Sequence, residues 1–494
     1  MRNRMFFGAS RIAVFAAITL TSASLFAGQM IPIVEHDSAA FDPTLIQPIT
    51  DGNNGSVVGP GEQDLDAERD WANTGTDFNT TTSWTGGVVP TLGDVAWFKA
   101  AEITNPNLSS SVSIAGLYFQ GTGSNGYDIT ASAGQSFTLT GSNTSGSGGT
   151  ANSSAAAIRN EATSGTNTID APLILAPSSG TVSTFFNVAG GTLIVNGAIS
   201  GSGISLSLKS GTIQLNGNNS FSGGASIDAA STTLVLGNDN ALGTGTFTIN
   251  NTATLQAGGA ARTLANSVVF GGNTTLSGSN AFTFSGTVTS SGSSTRTLTV
   301  SNTGGATFNG TVNLEESGAP AGRIFIINGT TAVVMNGVVQ NGSAQAAGLR
   351  YTGSSSLTLN GANTYSGGTS MTVAGSTMVT GPNGTLGTGN VSLTAGNITL
   401  TLQNVSSMAS TATLSFVNTD TINLNYGASM TISGLVVDGV AQPNGLYGQG
   451  FNNPDSAFFG EGTITVVPEP TTIGMVLLGG SLLAGLQRFR RRQG

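Results

Sequence analysis

The chain has 494 residues, of which 72 are Gly, none is Cys and only 8% are charged. Seven of its 15 Lys and Arg sit in the two terminal segments, so the body between them keeps eight cations against 23 acids, a net charge near −15. This excludes disulfides, thiolate metal sites and a cysteine nucleophile. It also argues against nucleic acid as a partner, because that affinity comes from Lys and Arg on phosphates, and the 38% apolar content argues against general disorder.

In chain order, Arg2, Arg4 and Arg11 precede or begin the apolar run 12–20, and small residues follow. That pattern predicts a secretory signal peptide over 1–27, its short helix removed on export. Cleavage fits after Ala27, with Ala23 and Ser24 as alternatives. Residues 28–70 hold nine acids, including Glu62, Asp64, Asp66, Glu68 and Asp70, and show no strand alternation. They read as an acidic, poorly ordered linker. The single histidine, His36, lies there, and no catalytic or metal arrangement can be built around it.

All three tryptophans, Trp71, Trp84 and Trp97, fall in 71–140, which reads as an N-terminal β cap region. A repeat fold needs a cap to close its open end. The alternative is a glycan contact, with the rings as a stacking platform. Strands are expected over 112–119, 127–130 and 137–140. Between the first two, GTGSNG at 121–126 fits Gly-x-Gly-x-x-Gly, but a strand rather than a helix follows, so the nucleotide reading lacks its structural context.

From about 141 to 466 the chain alternates short strands and turns, for example at 192–195, 233–236, 323–327, 398–402 and 421–424. No helical period of 3.6 stands out between the terminal segments. The segment TIQLNGNNSFSGGASI from Thr212 reappears as SLTLNGANTYSGGTSM from Ser356. Asn216, Gly217, Phe221, Gly223 and Gly224 match Asn360, Gly361, Tyr365, Gly367 and Gly368 at an offset of 144 residues, and 242–245 matches 386–389 at the same offset. A shorter theme, apolar–Asn/Ser–Gly–any–apolar, recurs at 195–199, 284–288, 308–312 and 335–339. Strand–corner units that cannot bury a face alone predict an all-β parallel β-helix, or β-solenoid. Asn at its corners can stack in hydrogen-bonded ladders.

Few residues suggest chemistry. Glu315 and Glu316 with Arg323 read as a solvated loop, since adjacent glutamates on a strand face opposite ways. Asp228, Asp239 and Glu315 are the candidate acids of an alternative reading, a β-helix polysaccharide lyase or glycoside hydrolase. The calcium-binding Gly-Gly-x-Gly-x-Asp repeat is absent, and no metal or cofactor is expected. Asn-x-Ser/Thr sites such as Asn143, Asn273, Asn309, Asn328 and Asn397 arise by chance in so Asn-, Ser- and Thr-rich a chain.

The last segment, 467–494, has three parts: Val467, Pro468, Glu469 and Pro470; an apolar stretch of about 14 residues over 473–486; and Arg488, Arg490, Arg491 and Arg492. A spanning helix usually needs roughly 20 residues, so the stretch is a marginal transmembrane helix, with its arginines expected on the cytoplasmic side. In all three parts and their order this tail resembles the PEP-CTERM sorting signal of Gram-negative bacteria. The resemblance implies an exosortase-type processing enzyme as partner and delivery to the cell surface or extracellular matrix. The LNGxNxYSGGT unit, strong at 359–369 and looser at 215–224, resembles the autotransporter-associated β-strand repeat, which implies a parallel β-helix. True autotransporters end in a membrane β-barrel; the sorting tail in its place is a departure from that family, and the chain is not expected to carry out its own outer-membrane translocation. The expectation is a non-enzymatic, exported adhesion or matrix protein, partnered by extracellular polysaccharide or neighbouring cells.

Overall fold

The computed structural model describes residues 68–99, 102–120, 126–141, 156–178, 181–187, 191–292, 295–315, 322–343 and 345–467. The signal segment, linker residues 28–67 with His36, the motif residues 121–125, Glu316, and the tail from Pro468 with its arginines lie outside them. Val467 is described, and is 38% exposed. Among the described residues, no helix is long and apolar enough to cross a membrane.

The described chain winds into a parallel β-solenoid of about 14 turns, with almost no helix. Its strands stack into three faces, numbered as the chain meets them. The first is a 12-stranded sheet from Glu68–Asp70 to Val339–Gln340. The second is a 16-stranded sheet from Asn107–Leu108 to Val440–Ala441. The third has two parts, four strands from Val112–Ile114 to Ile199–Ser200 and nine from Arg262–Leu264 to Phe458–Phe459.

Alternation dictates this winding. A strand sends successive side chains to opposite sides, so an apolar–polar–apolar triplet buries two residues and shows one. Phe247–Ile249, Phe282–Phe284, Ala306–Phe308 and Val391–Leu393 all follow that pattern. Three such short strands close a turn around one apolar column. On the second face, Leu193, Ile213, Leu234, Leu255 and Leu276 stand in register, all fully buried. Leu234, Leu255 and Leu276 are 21 residues apart, the length of one turn here. Each buried Leu or Ile contributes about 1.5–3 kcal/mol relative to exposure. Outside, Thr192, Thr212, Thr233, Thr254, Thr275 and Thr299 form an equally regular, half-exposed column.

The two motif copies land on different faces. Asn216 follows Thr212–Leu215 of the second face, and Asn360 follows Ser356–Leu359 of the third. The 144-residue offset therefore climbs six rungs of the second face, to Ala347–Tyr351, and then advances one face. In the first copy the motif loop takes the place of a third-face strand and splits that face in two. In the second copy it takes the place of a first-face strand, and the first face ends there.

Two boundaries differ from the sequence reading. Glu68–Asp70, expected in the linker, is a strand paired in parallel with Val95–Phe98. The regular turns begin inside the expected cap region, because Val95–Phe98 already pairs in parallel with Gly116–Phe119. Among described strand pairs, antiparallel pairing occurs only near the C-terminal end, between Gly434–Val437 and Val440–Ala441 and between Gly445–Tyr447 and Thr463–Val466. These reversals break the rung pattern and terminate the stack.

Candidate functional site

The repeat motif is a clamp between turns. Asn219 is 3% exposed; its Oδ1 accepts from the Ile199 N–H of the turn before at 2.7 Å, and its Nδ2 donates to the Ala241 carbonyl of the turn after at 2.7 Å. Asn363 repeats this, accepting from Val339 N–H at 2.7 Å and donating to the Thr385 carbonyl at 2.7 Å. Asn219 and Asn363 match each other within the repeated motif at the same offset of 144 residues, but their reach to both neighbouring turns is not legible in the sequence. What marks them there is their place in the repeat, three residues after Asn216 and Asn360.

Asn216 and Asn360 cap the expected amide ladders. Asn216 Nδ2 donates to Asn196 Oδ1 and Asn196 Nδ2 to Asp170 Oδ1, both at 2.6 Å. Asn360 donates to Asn336 at 2.7 Å, and Asn336 to Asn309 at 2.8 Å. Glycine follows each of these asparagines because the turns nearly touch: a Cβ at Gly217 would lie 2.4 Å from the Gly197 carbonyl oxygen, and one at Gly361 2.4 Å from that of Gly337. Gly223 and Gly367 press likewise on the previous turn. Gly224 and Gly368 adopt φ of +98° and +87°, the left-handed region that favours glycine.

Phe221 and Tyr365 fill the interior, each fully buried. The Tyr365 hydroxyl meets Thr369 Oγ1 at 2.5 Å, and Thr369 donates to the Leu386 carbonyl at 2.9 Å. Burial pushes the Tyr365 phenol well above its usual pKa. In the first copy the position matching Thr369 is Ala225, so the hydroxyl and its acceptor are absent together. The motif residues thus hold the fold.

The tryptophans divide. Trp71 and Trp84 are 4% and 2% exposed and meet edge to face at 5.2 Å. Trp84 Nε1 donates to the Phe78 carbonyl at 2.7 Å, and Phe78 packs on Phe137 at 5.0 Å. This is a plug in the first turns, and it corrects the alternative of a sugar-stacking platform for these two rings, which have no free face. Trp97 is half-buried on the outside, with Tyr118 at 5.5 Å and Lys99 Nζ 4.6 Å above its ring. Lys99 is itself held by Glu68 and Asp70, so this ring too is largely covered.

The candidate acids do not converge. Asp228 Oδ2 accepts from Ser207 and Ser226 at 2.5 and 2.7 Å, and its Oδ1 from Asn250 at 2.6 Å. Asp239 accepts from Thr263 N–H at 3.1 Å and lies 3.7 Å from Arg262. The five-residue strand Thr232–Leu236 separates these two acids, a span of about 16 Å. Glu315 follows a strand four rungs beyond that preceding Asp228, about 19 Å along the axis. Glycosidase carboxylates stand roughly 5–9.5 Å apart. Glu315 also corrects the solvated-loop reading: it is fully buried, with Ser343 Oγ donating to its Oε1 at 2.5 Å, and Arg323 is 5% exposed with Nη2 3.5 Å from Ser290 Oγ. Both are interior groups among serines. Among the described residues no group of three or more His, Cys, Asp or Glu could hold a metal ion. Asp128–Ala131, after the glycine-rich 121–126, is a strand, so no helix N-terminus faces that motif.

Among the described residues a groove of about 440 Å³ lies where the second motif copy replaces a first-face strand. Arg350, Ser366, Ser370, Asn390 and Ser392 line it over a floor that includes Gly348, Gly367, Gly368 and Gly389. Arg350, Ser370 and Ser392 stand in register on three successive turns. Comparison of the chain with protein-family models, with curated proteins and with solved structures finds no match.

Proposed function

We propose that this chain is an exported structural β-solenoid, displayed at the cell surface and associated with the extracellular polysaccharide matrix, where it serves adhesion, aggregation or biofilm architecture without catalysing a reaction. The observation that carries this reading is the spacing of the candidate acids. They stand farther apart than a glycosidase pair requires, and each serves the fold locally. The half-exposed threonine column of the second face, from Thr192 to Thr299, is neutral and suited to many weak hydrogen bonds along a polymer. The signal segment and the tail from Val467 support export and surface sorting by an exosortase-type enzyme, with the membrane engaged through 473–486.

The test is deletion of 467–494, followed by quantitative surface labelling of intact cells and assay of the medium. Surface protein is expected to fall severalfold. Unchanged surface protein would remove the sorting part of the proposal.

A further inference from the structure

The groove at the second motif copy has a chemistry that its counterpart in the first copy lacks. In register, Arg350 pairs with Ser370 and Ser370 with Ser392. The equivalent column in the first copy is Ser207, Ser226 and Thr248, and there both serines bind the carboxylate of Asp228. The residue 144 positions after Asp228 is Thr372. The second copy has therefore lost the acid that occupies the first and gained a cation in place of a serine.

Arg350 differs from four of the body's eight cations. Arg69, Lys99, Arg159 and Arg262 each meet a carboxylate within salt-bridge distance. Arg350 has only the hydroxyl of Ser370, 3.4 Å from its Nε, and the groove lining contains no acid. Arg350 is half-exposed, beside about 10 Å of floor set by two strand spacings. Ser366, Ser370, Ser392 and Asn390 supply donors and acceptors along it, and the glycines keep the floor low enough for a ring to approach.

We infer that this groove binds a carboxylate-bearing sugar of an acidic polysaccharide, with Arg350 gripping the carboxylate and the serines and Asn390 bonding the ring hydroxyls. Arginine is suited to this because its planar fork donates two parallel hydrogen bonds to a carboxylate. The negative charge of the whole body does not forbid it, since charges beyond about 8–10 Å are largely screened at physiological salt. The inference rests on the matrix-associated reading and names the polymer class it engages.

The test is calorimetric titration of the exported full-length protein with oligogalacturonate, and with a neutral malto-oligosaccharide of equal length. The wild type should bind the uronate and not the neutral sugar. Arg350→Gln should weaken uronate binding about tenfold or more, as expected for loss of a charged hydrogen-bonded pair, and Arg350→Lys should recover part of it. An unchanged thermal melt shows that these half-exposed substitutions leave the fold intact. Arg350→Gln binding as tightly as wild type would overturn the groove assignment while leaving matrix association in place. Equal affinity for the neutral sugar, or no uronate binding by the wild type, would also overturn it. Failure of the matrix reading itself would appear separately, as no affinity for any polymer of the host's own matrix.

Discussion

At one pair of positions in the interior the two motif copies differ in a matched way. Where the interior holds Tyr365, Thr369 accepts its hydroxyl; where it holds Phe221, Ala225 suffices. A buried polar group left without a partner costs about 1–3 kcal/mol, whereas removing both partners can be nearly neutral. Thr369→Ala should therefore destabilise by about 1–3 kcal/mol, Tyr365→Phe by less, and the double substitution by less than the sum of the two. Urea denaturation of the three variants measures that coupling, and strict additivity would contradict it. The same tyrosine makes stability depend on alkaline pH. Unfolded tyrosine ionises near pH 10, while burial raises the folded pKa of Tyr365, and pushes that of Tyr351 up to about 12. Above pH 10 the folded state thus holds more protons than the unfolded one. Stability present below pH 10 is lost as pH rises through the folded values, and Tyr365→Phe should make that loss shallower between pH 10 and 12.

At the scale of elements, the turn is held as much by its corner as by its strands. Asn363 reaches the turns on both sides, so Asn363→Ala leaves the buried Val339 N–H and Thr385 carbonyl without that partner. The expected cost is about 2–4 kcal/mol, from two unmet backbone groups. Hydrogen exchange should show the loosening confined to the neighbouring turns, since each turn of a repeat fold touches only its neighbours. Uniform loss of protection along the chain would contradict this. Much of this level was legible in the sequence. The alternation at 192–195 and 233–236 gave Thr192–Val195 and Thr232–Leu236 as strands, and the apolar–Asn–Gly theme gave the ladder from Asn309 through Asn336 to Asn360. What the pattern did not reveal was burial set by pairing across whole turns. Glu315 looks solvated beside Glu316, yet it packs under Ser343, 28 residues later. For Trp71 and Trp84 the sequence left a stacking platform as the alternative to a cap, and it is Phe78, edge to face on Trp84 and on Phe137, that removes it.

For the whole molecule, the three faces explain why the repeat was visible and its consequence was not. The offset of 144 residues is plain in the sequence, but not that it equals six turns and one face, because turn length varies: Leu234 to Leu255 takes 21 residues, and Leu298 to Ile327 takes 29. The copies consequently interrupt different faces, and only the second opens the Arg350 groove. Among the described residues the apolar column runs on from turn to turn beneath a neutral threonine column on the second face, and the plugged first turns and reversed last strands protect its edges from pairing with other chains. Such a body can engage a polymer along its length without a catalytic centre. That central claim is tested most directly by incubating the purified protein with the extracellular polysaccharide of its own host, then measuring both co-sedimentation and newly formed reducing or unsaturated ends. The account predicts saturable co-sedimentation with polymer length unchanged. Shortening of the polymer with time and protein concentration would contradict it and return the acids of the solenoid to consideration as catalysts.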